Sequence, residues 1–270
     1  MDNRPIGVFD SGFGGLTAVT MLRTLLPEED IIYFGDSGRA PYGGRTKNEL
    51  RVMAEQNLSF LKGFGVKLIL AACGTVSGSV LDEIEFGDVP LFGVIKPAAE
   101  KVAAVTENGV VGVIATQASI NSGAYQREIM RCNPGVSIID AGCPKLVTLV
   151  ESGRFSPGDL EVEAAVGEYL AAIRDAGADT LLLGCTHYSL LERAIVNFMG
   201  DGLKLVSASD EAASYLAQNL SGRGIESGMS RRGSVAYYTS GDSSEFSRIA
   251  ELLFGNPLES EVKHVPPMPL

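Results

Sequence analysis

Short, nearly unbroken runs of apolar residues recur along this 270-residue chain and alternate with longer stretches of helical period. The runs are Ile6–Phe9, Ile31–Phe34, Leu68–Ala71, Val89–Val94, Val110–Ile114, Ser137–Ile139, Leu181–Leu183 and Lys204–Val206. A strand covered on one face alternates apolar with polar residues, whereas a continuous apolar run suits a parallel strand covered on both faces. Parallel neighbours need long crossovers, and Leu16–Leu26, Asn48–Phe64 and Leu160–Ala176 have the spacing of helices that supply them. The pattern predicts an α/β fold.

Two of the runs repeat each other. Gly65-Val66-Lys67-Leu68-Ile69-Leu70-Ala71-Ala72-Cys73 aligns without a gap on Gly177-Ala178-Asp179-Thr180-Leu181-Leu182-Leu183-Gly184-Cys185. Each reads as a glycine turn, a buried strand, a small residue and a cysteine at the strand's carboxyl end. Ile6-Gly7-Val8-Phe9 and Val111-Gly112-Val113-Ile114 form a second matching pair. The repeat predicts two related doubly wound parallel-sheet units facing each other across a cleft. Ligands of such sheets bind beyond the carboxyl ends of the strands, which puts both cysteines at the cleft.

Composition narrows the function. Hydrophobic residues make up 45% of the chain, the proportion of a folded globular protein. A net charge of −11 opposes general nucleic-acid binding but leaves room for a small anion in a local field. No apolar stretch is long enough to span a bilayer, so no membrane partner is expected. Asp10 interrupts the first apolar run, against a secretory signal, and only five residues precede that run. The expected location is the cytoplasm, where thiols stay reduced, with no room for an amino-terminal effector segment.

Several segments carry possible chemistry. Asp10-Ser11-Gly12-Phe13-Gly14-Gly15 links a strand to a helix; its spacing fits neither the dinucleotide fingerprint nor the P-loop. Its glycines suit close approach of a ligand carboxylate. Asp10 is either a base or cysteine-orienting group, or simply a helix cap. Asp36 to Gly43 is dense in turn formers and follows a strand, as ligand-contact loops and plain connectors both do. Cys73-Gly74-Thr75 and Cys185-Thr186-His187 each stand where a helix amino terminus favours a thiolate. With only His187 and His264 available, a zinc site lacks ligands, so no metal is expected. A cysteine–histidine hydrolase needs one thiol and leaves the second unexplained. Two thiols related by a repeat suit a symmetric reaction, in which one removes a proton from a carbon and the other returns one to the opposite face. Ser11, Thr75, Thr186 and backbone amides are groups that stabilise the carbanion.

Together these segments resemble the glutamate racemases of the aspartate/glutamate racemase superfamily. The resemblance runs in order through Gly7-Val8-Phe9-Asp10-Ser11-Gly12, Tyr33-Phe34-Gly35-Asp36-Ser37, Pro41-Tyr42-Gly43 and the Cys73 segment. It continues through Gly112 to Thr116, Ser122-Gly123-Ala124-Tyr125, Cys143-Pro144 and Leu149-Val150-Glu151. Leu183-Gly184-Cys185-Thr186-His187-Tyr188 and Tyr238 to Asp242 complete it. It implies two pseudo-symmetric domains, residues 1–96 with 208–270 and residues 97–207. It implies a racemase without pyridoxal phosphate or other cofactor, in which Cys73, assisted by Asp10, serves one face of glutamate. Cys185, assisted by His187, serves the other. Asp10, Ser11, Pro41, Tyr42, Gly43, Gly74 and Thr75 are implied at the substrate from one side. Thr116, Glu151, Thr186 and His187 are implied from the other. A homodimer supplying D-glutamate for peptidoglycan is implied as well, with Cys132 and Cys143 structural.

Two positions depart from the family pattern. Gly74-Thr75-Val76-Ser77 stands where the family usually has Asn followed by Thr-Ala-Ser, and Ser189 stands at a usual Pro. Gly74 cannot offer a side-chain amide, a hydrogen bond worth about 0.5–1.5 kcal/mol. The alternatives to glutamate racemisation are therefore another substrate, such as aspartate, or a binding role without catalysis.

Overall fold

A computed structural model describes residues 1–269. The expected unit ending at residue 270 thus has one residue, Leu270, outside the described part. All eight apolar runs form strands: β1 Ile6–Asp10, β2 Ile31–Gly35, β3 Leu68–Ala71, β4 Leu91–Gly93, β5 Val110–Ala115, β6 Ser137–Gly142, β7 Thr180–Leu183 and β8 Lys204–Ser207. Two more, β9 Val235–Thr239 and β10 Val262–His264, are not among the eight runs, although Val235-Ala236-Tyr237-Tyr238 is an unbroken apolar run. In β9, fully buried residues alternate with half-buried ones, and β10 is a short edge strand with one buried residue.

Every strand pair is parallel. One sheet runs β10-β9-β2-β1-β3-β4 and the other β6-β5-β7-β8. The order β2-β1-β3-β4 is repeated by β6-β5-β7-β8, so the internal repeat of the sequence is a repeat of topology. Val8 lies between Tyr33 and Leu70, as Val113 lies between Asp140 and Leu182. At β1 and again at β5 the winding changes direction, which opens a crevice beyond the carboxyl ends.

The period of two along each strand sorts side chains between apolar layers. Ile6 and Val8 of β1 join Val111 and Val113 of β5 and Leu182 of β7 in one continuous core. The helices Leu16–Leu25, Ile95–Val105 and Ala208–Arg223 lie in that layer and pack on one another. Phe9, Ile69 and Ala71 face the opposite way, against the helix Lys47–Lys62. Ile114, Leu181 and Leu183 face the helices Pro144–Glu151 and Leu160–Asp175. No helix among the described residues is long and apolar enough to cross a membrane.

A buried ion pair ties the amino-terminal end of the larger sheet. Lys67, just before β3, lies 2.6 Å from Glu29, and both side chains are almost wholly buried. The Lys67 ammonium also donates to the carbonyls of Asp2 and Ile225, and Glu29 accepts from the Ser227 amide. Removing one member of such a pair strands the other charge in the interior, at a cost of about 3–5 kcal/mol. Lys67→Met should lower unfolding stability by that amount in urea titrations, and adding Glu29→Leu should recover much of the loss.

Candidate active site

β3 and β7 end two residues before Cys73 and Cys185. Cys73 is followed by the short helix Gly74–Ser79 and Cys185 by the 3-10 turn Thr186–Leu191. The loops beyond the two sheets meet. Thr75 and Thr116 join by a hydroxyl–hydroxyl hydrogen bond of 2.9 Å. Between the loops is a cavity of about 430 Å³, and both cysteines line it, with exposures of only 4% and 8%.

The wall contains ten of the eleven residues expected at a substrate. Ser11, Pro41, Tyr42, Gly43, Gly74 and Thr75 come from loops of the larger sheet. Thr116, Glu151, Thr186 and His187 come from the smaller. Asp10 is the exception. It is fully buried behind Ser11 at the end of β1 and does not form part of the wall. The glycine loop also has a different use from the one expected: the amides of Gly12 and Gly15 donate to Asp10 Oδ2 at 3.2 and 3.0 Å. Those amides organise the carboxylate and are not open to a ligand.

Gly44, Gln117, Pro144, Val147 and Thr148 complete the wall without having been expected there. Pro144, Val147, Thr148 and Glu151 are one face of the helix Pro144–Glu151, at the spacing i, i+3, i+4, i+7. Proline at the first helical position marks that helix in the sequence. Which face it turns to the cavity depends on packing. Tyr188 anchors this helix, its hydroxyl donating to the Cys143 carbonyl at 2.9 Å. Cys143 itself is buried beside the Ala141 carbonyl, while half-buried Cys132 lies away from the cavity wall.

The two thiols have unlike surroundings. Cys185 Sγ is 3.4 Å from Nδ1 of His187, whose Nε2 lies 3.4 Å from Glu151. Burial disfavours a charged imidazole, but the Cys185 sulfur and Glu151 outweigh it and hold the His187 pKa well above its ordinary value. The result is a line of three groups, the Cys185 sulfur, a cationic imidazole and the Glu151 carboxyl. The Phe13 ring, from the first loop, meets His187 edge-on at 5.9 Å. Burial, reinforced by the charge of Asp10, pushes the Cys73 thiol up to about 12 from an ordinary 9.0. The Val76 amide and the Ser11 hydroxyl oppose that rise. Burial likewise raises the pKa of Asp10, against the pull of His187 and the loop amides. Asp10 Oδ1 has no hydrogen-bond partner. The site thus offers one sulfur that favours a proton and one beside a cation. Among the described residues no group of three His, Cys, Asp or Glu side chains could hold a metal ion.

Glycines allow the loops to meet. A β-carbon on Gly74 would stand 2.3 Å from the Gly184 carbonyl oxygen, and one on Gly14 would stand 2.3 Å from the Thr186 hydroxyl. At Gly74 the obstacle is backbone, so the position is filled by the facing loop, with no vacancy left by a missing side chain.

Comparisons with known proteins agree with this geometry. The family model for Asp/Glu/hydantoin racemase matches residues 18–216. Glutamate racemase 2 of Caldanaerobacter subterraneus is 40% identical over 263 residues, covering 96% of each chain. A glutamate racemase isoform from Bacillus anthracis superposes with a TM-score of 0.91 at 34% identity, covering 98% of each chain. The glutamate racemase of Francisella tularensis, solved in complex with D-glutamate, gives 0.89 at 34% identity with the same coverage.

Two outcomes follow from the packing and the charges. Gly74→Ala should cost about 1–3 kcal/mol in chemical denaturation, because backbone must move. Gly222→Ala, with open space around it, should cost nothing. Between the ordinary thiol pKa and the raised one, the folded state keeps the Cys73 proton that the unfolded chain sheds. Stability therefore falls as pH rises through that window. Cys73→Ser lacks this titration, so urea midpoints at about pH 8 and about pH 10 should differ less in the variant than in the parent.

Proposed function

The chain belongs to the Asp/Glu/hydantoin racemase family of isomerases, and from that premise we propose that it interconverts L- and D-glutamate by a two-thiol, cofactor-independent reaction. The observation that carries this reading is the pair of cysteines at equivalent points of two repeated sheets, both on the wall of one cavity. The glutamate specificity is supported by relatives named glutamate racemase over nearly the whole chain, one of them holding D-glutamate.

In one direction a cysteine thiolate takes the α-proton and becomes a thiol, leaving a carbanion spread into the carboxylate. The opposite cysteine, a thiol, delivers its proton to the other face of the α-carbon and becomes a thiolate. The reverse substrate exchanges the roles. Cys73 works beside Asp10, whose buried charge favours the protonated thiol. Cys185 works with His187, which the Cys185 sulfur and Glu151, 3.4 Å from Nε2, keep cationic. Such matched acid–base groups contribute about 10²–10⁴-fold each. The hydroxyls of Ser11, Thr75, Thr116 and Thr186, with neighbouring amides, hold the carboxylates and the developing charge.

Gly74 does not weaken the reading, because its side-chain space is occupied by the Gly184 carbonyl. The working unit comprises residues 1–96 with 208–270 as one body and 97–207 as the other, assembled as a homodimer. Chemistry that needs two free thiols belongs in a reducing cytoplasm, with D-glutamate for peptidoglycan as the use of the product.

The test is incubation with L-glutamate in deuterated water, without added pyridoxal phosphate or metal, followed by chiral and isotopic analysis. D-glutamate carrying α-deuterium is expected, and Cys73→Ser and Cys185→Ser should each lower turnover by about 10²–10⁴-fold. Glutamate that keeps its α-hydrogen would refute the assignment. Deuterium entering aspartate instead would move it to another dicarboxylate.

A further inference from the structure

The wall residues Pro41, Tyr42, Gly43 and Gly44 belong to a loop of two 3-10 turns, Ser37–Arg39 and Tyr42–Gly44, between β2 and the helix Lys47–Lys62. Few main-chain bonds hold it. Asp36, Arg39, Ala40 and Arg45 donate amides to carbonyls at 2.9–3.3 Å, all but the first within the loop. Behind it lies a buried polar cluster that the proposed chemistry does not use.

The Asp36 carboxylate, with no exposure, is the centre of the cluster. It accepts from Nε of Arg39 at 3.0 and 2.8 Å, from Ser240 Oγ at 2.5 Å and from the Tyr42 hydroxyl, and a terminal nitrogen of Arg39 stands 2.6 Å away as an ion-pair contact. Asn57 donates to the same Tyr42 hydroxyl at 3.1 Å and accepts from Arg39 at 3.0 Å. The guanidinium therefore holds Asp36 and Asn57, and through them Tyr42, while touching nothing in the cavity wall. Its remaining nitrogen donates to Gln56 and, at 3.5 Å, to the Met268 carbonyl. Gln56 in turn donates to the Pro269 carbonyl at 2.9 Å. The segment that supplies these carbonyls leaves β10 and reads Pro266-Pro267-Met268-Pro269. Proline has no amide hydrogen and a fixed φ, so such a segment is stiff and offers mainly acceptors, which suits a face of two donors.

We propose that Arg39 is a positioning residue for the substrate loop and that residues 266–269 form a strap that locks it from outside. Among the described residues the side-chain hydrogen bonds to the strap lead to the cavity wall through Gln56, Arg39, Asp36 and Tyr42. Loosening it therefore enlarges the set of loop conformations that substrate must select from, which weakens binding in proportion to the competent fraction lost. The thiols, held by other elements, keep their geometry. The proposal deepens the racemase reading and rests on it for the kinetic part alone.

The experiment uses three variants of the full protein: Gln56→Ala, a chain truncated after Val265, and Arg39→Lys, which keeps the charge but not the planar fork. Each is measured by amide hydrogen exchange of the peptide covering residues 36–45 and by glutamate kinetics. Gln56→Ala and the truncation are expected to raise exchange in that peptide alone and to raise KM about three- to tenfold, with kcat within about twofold. Arg39→Lys should do the same more strongly, or fail to fold, in which case the other two decide. Protection of the peptide at the parental level in both outer variants would overturn the strap. So would a loss spread over the whole chain, or a fall in kcat at constant KM. If the parent protein itself left glutamate unchanged, the racemase reading would fail, and the exchange data would still test the strap.

Discussion

Where Gly74 faces Gly184, backbone touches backbone across the two sheets, and the distance between the cysteine loops is set by the absence of two side chains. Gly14 against Thr186 and the hydrogen bond between the Thr75 and Thr116 hydroxyls continue the contact on either side. Gly184 has its own reason to lack a side chain, since a β-carbon there would meet the Tyr125 ring at 2.8 Å, while the Tyr125 hydroxyl donates to its carbonyl. A cavity of this size with a thiol on each wall exists because the loops approach this closely. The shared apolar layer of Ile6, Val8, Val111, Val113 and Leu182 supports that approach from behind.

Close approach also excludes water, and exclusion of water is what separates the two sulfurs electrostatically. A buried thiol next to a buried carboxylate keeps its proton, as Cys73 does. Asp10 and His187 thus give the two sulfurs unlike neighbours although the strand order around them is repeated. Both groups feel each other, because His187 counters the burial of Asp10. The symmetric scaffold and the asymmetric charges are compatible because the repeat fixes strand order and loop position, whereas the charges come from residues outside the repeated segment.

Much of this was legible from residue order. The eight apolar runs became the eight strands expected, and the signal is plainest in β1, β3 and β7, which are buried throughout. The cysteines could be placed at strand ends because the two segments align residue by residue. β9 was passed over although Val235 to Tyr238 are all apolar, and β10 because three edge residues bury little. The motif at Tyr238 to Asp242 was visible, but its partners were not: Thr239 and Ser240 meet Ser37, Gly38 and Asp36 across some two hundred positions. Likewise, Val147 and Thr148 look like ordinary helix residues until the helix is docked.

The sequence by itself determined the α/β class, the parallel strands, the repeat, and ten of the eleven positions expected along the cavity, because each rests on local pattern or on a motif that travels with the chain. Tertiary structure decided the rest. It put Asp10 behind the wall and spent the glycine-loop amides on its carboxylate. It filled the space at Gly74 with a carbonyl and turned one face of the helix Pro144–Glu151 to the cavity. Those outcomes depend on which surfaces touch and on how far water is excluded between them, and neither quantity is carried by any one stretch of residues.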